Sequence, residues 1–236
     1  PRVNKIFGPG NAWVTAAKSL VAADPDGAAL DMPAGPSEVL VLADGDADPA
    51  FVASDLLSQA EHGADSQVFL VTPDEPLAEA VADALAEQTE ALGRGSIVRE
   101  ALSHSAVIIV DDLAEAVRVS NAYAPEHLIV QVRDARDWLP HIRNAGSVFL
   151  GPWTPESMGD YCSGTNHVLP TYGYARTYSG LGVDQFLRHM TVQELSAAGL
   201  EGLGPTAVTL AGLEGLDAHA RAVTLRLEKI RRRTVA

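Results

Sequence analysis

The stretch QVFLVTPDEPLAEAVADALAEQTEALGRGSIVREALSHSAVIIVDD, residues 67–112, decides the fold class. It begins with one short run of apolar and β-branched residues, QVFLVT, and ends with another, AVIIVDD. Between these runs, apolar side chains recur at near-helical spacing at Leu77, Val81, Leu85 and Leu92, which indicates a helix with one buried face. A strand, a helix and a second strand in this order predict a βαβ unit with parallel strands.

The same alternation continues on both sides of this unit. Three further runs predict strands: VLVLAD at 39–44, HLIVQV at 127–132 and SVFLG at 147–151. Strands that are apolar on both faces are typical of parallel sheets covered by helices on both sides. We therefore predict an α/β fold, with a mainly parallel, Rossmann-like sheet layered with helices.

A small helical C-terminal tail is predicted after about residue 180, where the strand pattern stops. In TVQEL, Thr191 and Glu194 have the spacing of a capping box, which predicts that a helix begins at Thr191. Val223 and Leu227 lie four positions apart and predict the apolar stripe of a final helix.

Composition excludes several classes of protein. The 236 residues carry a formal net charge of −14 with 47% hydrophobic residues, so a nucleic-acid partner, which needs a basic face, is not expected. The single cysteine, Cys162, excludes an internal disulfide and a cysteine-rich zinc site. Neither a signal peptide nor a membrane-length apolar run is present in the sequence, so we expect a cytoplasmic protein with no membrane partner.

Gln59, Glu61 and His62 crowd the end of an apolar run in LLSQAEHGADS, residues 56–66. In a helix, Gln59 and His62 share a face, whereas Glu61 lies about 100° from His62. One interpretation is that this pair forms half of a metal site. The alternative is an ordinary helix ending, with a histidine in the last turn and Gly63 at C′.

YAPEHLIV, residues 123–130, places Glu126 and His127 where a proline-containing turn enters a strand. Both side chain types transfer protons near neutral pH, glutamate if burial raises its pKa and histidine almost without any shift. A surface Glu-His pair in a turn is the alternative interpretation.

The segment PWTPESMGDYCSGTNHVLPTYGYART, residues 152–177, lacks helical and strand periodicity and is typical of a functional loop. It offers Asp160 as a carboxylate ligand and His167 as a donor or ligand. Cys162 has no adjacent base that would lower its pKa, which favours a small buried residue over a nucleophile.

Three other positions have weaker signals. The turn FGPGNAWV, residues 7–14, runs into a helix and could hold an anion on free backbone N–H groups. Ser37 is either a ligand contact or a turn residue. His219 shares a predicted helical face with Val223 and Leu227, which is more typical of a core or interface residue than of a ligand.

Seven segments of the chain, taken in order, closely resemble the histidinol dehydrogenase family. They are KIFGPGNAWVTAAK, DMPAGPSEVLV, ASDLLSQAEHG, APEHLIV, AGSVFLG, GDYCSGTNHVLPTYGYAR and MTVQELS. The resemblance runs from Lys5 to the last helix. It implies a zinc-dependent homodimer that oxidises L-histidinol to L-histidine, the last step of histidine biosynthesis. The reaction would pass through bound histidinal, with two successive hydride transfers to NAD.

The resemblance also implies roles for individual residues. Glu126 and His127 would be the catalytic proton-transfer pair, and Asn11 would contact NAD. The metal ligands would be Gln59, His62, Asp160 and His219. Substrate would contact these four ligands together with Ser37, His127, His167 and Glu214. Glu214 and His219, on the tail, would complete the site of the partner subunit.

Members of this family are roughly twice as long as this chain, so we expect it to be the C-terminal portion of such an enzyme. Residues 1–36 would be a remnant of the NAD-binding domain, residues 37–180 the zinc- and substrate-binding α/β domain, and residues 181–236 the helical dimerisation tail. Two alternatives stay open. One is a catalytically incomplete fragment or small-molecule binding module, and the other is a zinc-dependent hydrolase that uses Glu126 to activate water.

Overall fold

The structure is a computed structural model, and it describes residues 1–234. In chain order its strands are β1 (Lys5–Ile6), β2 (Ala29–Leu30), β3 (Glu38–Ala43), β4 (Gln67–Thr72), β5 (Ala106–Ile109), β6 (His127–Gln131) and β7 (Ser147–Leu150). Its α-helices are α1 (Ala12–Ala23), α2 (Pro49–Ala60), α3 (Glu75–Ala91), α4 (Gly95–Leu102), α5 (Leu113–Tyr123), α6 (Ala135–Trp138), α7 (Glu156–Tyr161), α8 (Ala197–Leu213) and α9 (Asp217–Thr234). Short 3-10 helices span Leu139–His141, Tyr174–Arg176 and Val183–Phe186.

Strands β3 to β7 form one parallel sheet in the order β5-β4-β3-β6-β7. The chain starts at the central strand β3, builds out to β5 and then crosses to the other side, which is the strand order of a doubly wound Rossmann-like fold. The predicted α/β sheet is therefore confirmed. Strand β5 is shorter than the predicted run because Asp112, near the end of that run, caps helix α5 by accepting from the N–H of Glu115.

Helices cover both faces of the sheet. Successive side chains of β3 point to opposite faces, so Val39 and Val41 pack under α2, α3 and α4, whereas Leu40 and Leu42 pack with α5 and α6. Every residue of β3 is buried. Burying one such Val or Leu side chain contributes about 1.5–3 kcal/mol, so this strand is a central stabilising element.

The edge strand β5 departs from the prediction of strands covered on both faces. Val107 is 42% exposed and Ile109 is 49% exposed. Strand β5 pairs only with β4 among the described residues, so one side of its backbone and part of its apolar surface lie open.

A two-stranded parallel sheet, β1 with β2, precedes the main sheet. Beside it, Lys18 of α1 forms a buried ion pair with Asp31. Lys18 also donates to the carbonyl oxygen of Gly8 at 2.7 Å, and Asp31 accepts from the N–H of Gly8 at 2.9 Å. The ion pair therefore fixes the glycine-proline turn against the loop that leads into β3.

The tail contains the two helices α8 and α9, as predicted, and they pack against each other. Gly204 of α8 faces Val223 and Leu227 of α9. The predicted helix start at Thr191 is wrong, since α8 begins after Ser196, whose hydroxyl accepts from the N–H of Gly199.

The chain folds as two compact units, residues 1–187 and the part that begins at Arg188. The finer division into a cofactor-domain remnant (1–36), a metal-binding domain (37–180) and a tail (181–236) stays a prediction. Among the described residues, none of the helices is long and apolar enough to cross a membrane.

Candidate functional site

One cavity of about 330 Å³ collects seven of the residues that the sequence singled out. These residues are Ser37, Gln59, His62, Glu126, His127, Asp160 and His167. The cavity is also lined by Pro9 and Gly10 of the glycine-proline turn. A concave site with a few convergent polar groups is the form that small-molecule sites take.

The cavity lies at the amino edge of the parallel sheet. Glu38 and His127 are the first residues of the adjacent strands β3 and β6, and Gln59 lies in the last turn of α2, which returns to this edge. Ligands of doubly wound sheets usually bind at the opposite, carboxyl edge, where the strand order reverses. Here that position between β3 and β6 is bridged by an exposed ion pair of Arg133 with Asp46.

The backbone around Glu126 and His127 is tightly constrained. Helix α5 ends at Tyr123, and its C-cap, Ala124, has the left-handed conformation, with φ 60°. The carbonyl oxygens of Pro125 and Glu126 then accept from the N–H groups of Gly146 and Ser147, both at 2.9 Å. A Cβ at Gly146 would lie 2.6 Å from the Glu126 carbonyl oxygen, so only glycine permits this approach.

His127 is buried with its two ring nitrogens in different surroundings. Its Nδ1 lies 3.0 Å from the carbonyl oxygen of Glu38, and because a carbonyl only accepts, Nδ1 carries the proton. Its Nε2 has no hydrogen-bond partner within residues 1–234. The carboxylates of Glu156 and Asp160 lie 3.9 and 3.8 Å from Nε2, and Glu126 lies 3.5 Å from Nδ1.

These carboxylates control the protonation of His127. Burial by itself would lower the pKa of His127, but the nearby Asp160, Glu126 and Glu156 outweigh burial and raise the pKa to about 10. In return, His127 lowers the pKa of the Asp160 carboxyl. The imidazolium and the carboxylates therefore stabilise each other.

Glu38 is a buried acid that the sequence reasoning missed. Its N–H donates to Glu126 Oε2 at 2.9 Å, and its own Oε1 accepts from the N–H of Tyr172 at 2.8 Å. Burial raises the pKa of Glu38 to about 7, opposed by the Tyr172 hydrogen bond and reinforced by the charge of Glu126. Its sequence signal is a charged residue at the first position of an otherwise apolar strand.

Gln59 and His62 lie close together, but not on one helical face. Helix α2 ends at Ala60 with Glu61 as its C-cap, and the N–H of His62 donates to the Gln59 carbonyl oxygen at 3.2 Å. The alternative interpretation, a helix ending with His62 in the last turn and Gly63 at C′, is wrong, because α2 ends at Ala60 and Glu61 is its C-cap. His62 lines the cavity from a turn, and Gln59 lines it from the helix.

The segment predicted to be irregular contains the short helix α7, so that part of the prediction is wrong. Glu156 and Asp160 lie four positions apart on α7 and thus on one face. Glu156, also missed by the sequence reasoning, is 1% exposed and accepts a hydrogen bond from Gln59 Nε2. An acidic pair at this spacing, just after Pro155, is the signal that could have found it.

Cys162 is not the small buried residue that was expected. It follows α7, its side chain is exposed, and its Sγ lies 3.7 Å from the Sδ of Met158. The cavity is lined by other residues.

Asn11 lies beside the main cavity. Its side chain caps α1 by accepting from the N–H groups of Trp13 and Val14, and it lines a neighbouring cavity of about 230 Å³. The two cavities share Ser37 and His62 among their lining residues.

Glu214 and His219 belong to the second compact unit. Glu214 is the C-cap of α8, and His219 lies on α9. Both side chains are exposed.

The donors in the cavity fit a metal ion. His62 offers an imidazole nitrogen and Asp160 a carboxylate, and the buried Gln59 Oε1 has no hydrogen-bond partner among the described residues. His127, Glu156 and Asp160 also place potential ligand atoms within 4.8 Å of one another. A set of nitrogen and oxygen donors suits an open zinc site, although manganese or cobalt would fit the same donors.

A protein-family model described as histidinol dehydrogenase matches residues 1–227. The chain belongs to the histidinol dehydrogenase family. It is 63% identical over 229 residues to a histidinol dehydrogenase of Vibrio parahaemolyticus, covering 97% of this chain and 53% of that relative. A chloroplastic histidinol dehydrogenase of Arabidopsis thaliana is 57% identical, covering 100% of this chain and 51% of that relative. The crystal structure of histidinol dehydrogenase from Elizabethkingia anophelis superimposes with a TM-score of 0.94 at 49% identity, covering 98% of this chain and 53% of that structure.

The family match over residues 1–227 confirms the resemblance read from the sequence motifs. The chain spans about half the length of the curated relatives that it matches. The neighbouring crystal structure also confirms the fold, a five-stranded parallel sheet with helices at the C-terminus.

Proposed function

We propose that this chain is the C-terminal portion of an enzyme that oxidises L-histidinol to L-histidine through bound histidinal, with two hydride transfers to NAD. One observation carries the proposal. A single cavity combines the buried Glu126–His127 pair with three donors suited to a metal, Gln59, His62 and Asp160.

The proton chemistry of the two oxidations suits the Glu126–His127 pair. Alcohol oxidation sheds the hydroxyl proton as hydride leaves. His127 would accept that proton at Nε2, the ring nitrogen without a partner among residues 1–234, once a cation held by Asp160 offsets the negative charge that otherwise keeps the imidazole protonated. Aldehyde oxidation needs a water molecule added to the carbonyl, and Glu126 takes the proton from that water. The N–H of Glu38 holds the Glu126 carboxylate in place for this step.

Gln59, His62 and Asp160 would hold one zinc ion, with the fourth ligand supplied by the partner subunit's His219. The ion, when bound, orients the substrate's amine and imidazole and offsets the negative charge around His127. Ser37, His167 and Glu214 contact the substrate in this scheme, and Asn11 contacts NAD. The proposed enzyme is a homodimer, in which Glu214 and His219 of each tail would complete the site of the other subunit.

A second candidate function follows from length. Because the chain spans about half of its relatives, it would be a catalytically incomplete piece that binds zinc and histidinol more tightly than NAD. No feature of the site favours a zinc-dependent hydrolase over an oxidoreductase.

The deciding experiment measures NADH formation by the purified chain after addition of histidinol, NAD and zinc, with intact mass spectrometry to identify any co-purifying polypeptide. NADH formation that depends on histidinol supports the dehydrogenase. Zinc and histidinol binding without NADH supports the incomplete piece, and turnover that proceeds without NAD would contradict both.

Two variants test the residue roles in whichever assembly produces NADH. Glu126→Gln should retain histidinol oxidation to the aldehyde but lose most histidinal oxidation, because the water loses its base. Cys162→Ser should keep near-normal activity in both steps, since its thiol is exposed outside the cavity lining. Loss of the second step in Cys162→Ser would instead indicate a thiol intermediate.

A further inference from the structure

Gln59 has a side-chain amide with two chemically different ends, and only one end can bind a cation. The oxygen Oε1 is a ligand, whereas the NH₂ group only donates hydrogen bonds. The orientation of this amide therefore decides whether Gln59 serves a metal site. It is set by what the NH₂ group contacts.

The contact on the NH₂ side is Glu156. Gln59 Nε2 donates to Glu156 Oε2, and a carboxylate accepts but does not donate. With the NH₂ group held there, Gln59 Oε1 points away from Glu156. Oε1 is buried and has no hydrogen-bond partner within residues 1–234, although buried carbonyl oxygens are nearly always paired.

Gln59 and Glu156 also differ in whether they line the cavity. Gln59, His62 and Asp160 line it, whereas Glu156 does not and is 1% exposed. Glu156 thus lies behind Gln59, in the place from which carboxylates in other proteins orient a metal ligand.

We propose that Glu156 is a positioning residue that fixes the Gln59 amide so that its Oε1 faces the cavity as a metal ligand. This assignment rests on the proposed function, in which Gln59 binds the ion. The same Glu156 oxygen lies 3.9 Å from His127 Nε2, so one buried carboxylate connects the metal ligand with the proton-transfer residue.

The test measures binding of Co²⁺ and Zn²⁺ to the full chain, with a competing chromophoric chelator for affinity and the visible absorption of Co²⁺ for its coordination. In Glu156→Gln the new side chain both donates and accepts, so it no longer selects one amide orientation. We expect binding to weaken about 10- to 100-fold, with a Co²⁺ spectrum that matches that of Gln59→Ala.

Asp55→Asn is the matched control. Asp55 is also a buried carboxylate that accepts from an amide, but its partner is Gln131 and neither residue lines the cavity. It should leave the affinity within about threefold of the wild type and the Co²⁺ spectrum unchanged. The exchanged pair Gln59→Glu/Glu156→Gln recreates one donor and one carboxylate, and it should restore binding lost in Glu156→Gln alone.

Three outcomes would overturn the assignment. An unchanged Co²⁺ spectrum in Glu156→Gln would mean that Glu156 acts only through its negative charge and does not orient the Gln59 amide. An exchanged pair that binds no better than Glu156→Gln would also contradict the orienting role, while wild-type binding would leave the proposed function intact. A wild-type chain that binds neither metal would overturn the zinc site and this assignment together.

Discussion

Replacing Asp55 by asparagine should stabilise the protein at neutral pH and leave its stability almost unchanged in acid. Asp55 lies in α2, is 5% exposed, and accepts a hydrogen bond from Gln131 Nε2 at 2.6 Å. Burial raises its pKa from 3.8 to about 7, opposed by the Gln131 hydrogen bond and reinforced by the charge of Glu156. Asparagine has nearly the same shape, accepts the same hydrogen bond and cannot ionise.

The magnitude follows from proton linkage. Between pH 3.8 and about pH 7 the unfolded chain has lost the Asp55 proton while the folded chain retains it. The folded state binds more protons in this interval, so the free energy of unfolding falls as pH rises, by about 1.4 kcal/mol per pH unit. The free energy of unfolding falls by about 4 kcal/mol in total between pH 3.8 and about pH 7, and this loss is not recovered at higher pH.

The assay is urea unfolding followed by circular dichroism at several pH values from 4 to 8, for the wild type and Asp55→Asn, with a chelator present. The free energy of unfolding of Asp55→Asn relative to the wild type should grow by about 4 kcal/mol across this range. Asp83→Asn, on the exposed face of α3, should stay within about 0.5 kcal/mol of the wild type at every pH. A difference that stays constant or shrinks with rising pH for Asp55→Asn would refute the reasoning.

Other substitutions test the packing of each compact unit. Lys18→Met should lower the free energy of unfolding by about 3–5 kcal/mol because it leaves Asp31 buried without its partner, and adding Asp31→Leu should recover most of this loss in the same urea assay. Gly146→Ala should cost about 1–3 kcal/mol and reduce NADH formation in the active assembly, because its Cβ would push against the Glu126 carbonyl oxygen. Gly202→Ala lies in α8, with nothing within 4 Å of the added Cβ, and should instead raise the free energy of unfolding by about 0.5–1 kcal/mol and with it the melting temperature. A less stable Gly202→Ala would contradict this account. So would a Lys18→Met or Gly146→Ala variant that is as stable as the wild type.

Periodicity was sufficient to predict the sheet because its strands are short apolar runs and its helices have clear apolar stripes. The strand order β5-β4-β3-β6-β7 was not predicted, because an alternation of strands and helices is compatible with several orders. Periodicity could not find helix α7, since six residues are too few to establish a period of 3.6. It could not locate the start of α8 either, because Thr191 and Ser196 both have the chemistry of an N-cap.

The candidate site was less accessible to reasoning from the sequence. Gln59, His62 and the Glu126–His127 pair were visible as local clusters, and Asp160 and His167 stood out in a segment without periodicity. The resemblance to the family then suggested a role for each of them. Glu38 and Glu156 were missed because their roles depend on contacts across the fold, with Glu126 and Gln59 respectively. The amino-edge location also could not be deduced, since the usual rule for doubly wound sheets points to the other edge.

The cavity draws its lining from regions that differ in local stability. His127 lies within the central strands, where amide hydrogens exchange with solvent only through near-global unfolding. Residues 161–167, by contrast, are all exposed and irregular for most of their length, so His167 belongs to a segment that opens at a small free-energy cost. A ligand that contacts both His127 and His167 must order residues 161–167 when it binds. Its binding should therefore slow amide exchange in residues 161–167, whereas exchange in β6 is already slow in the free protein.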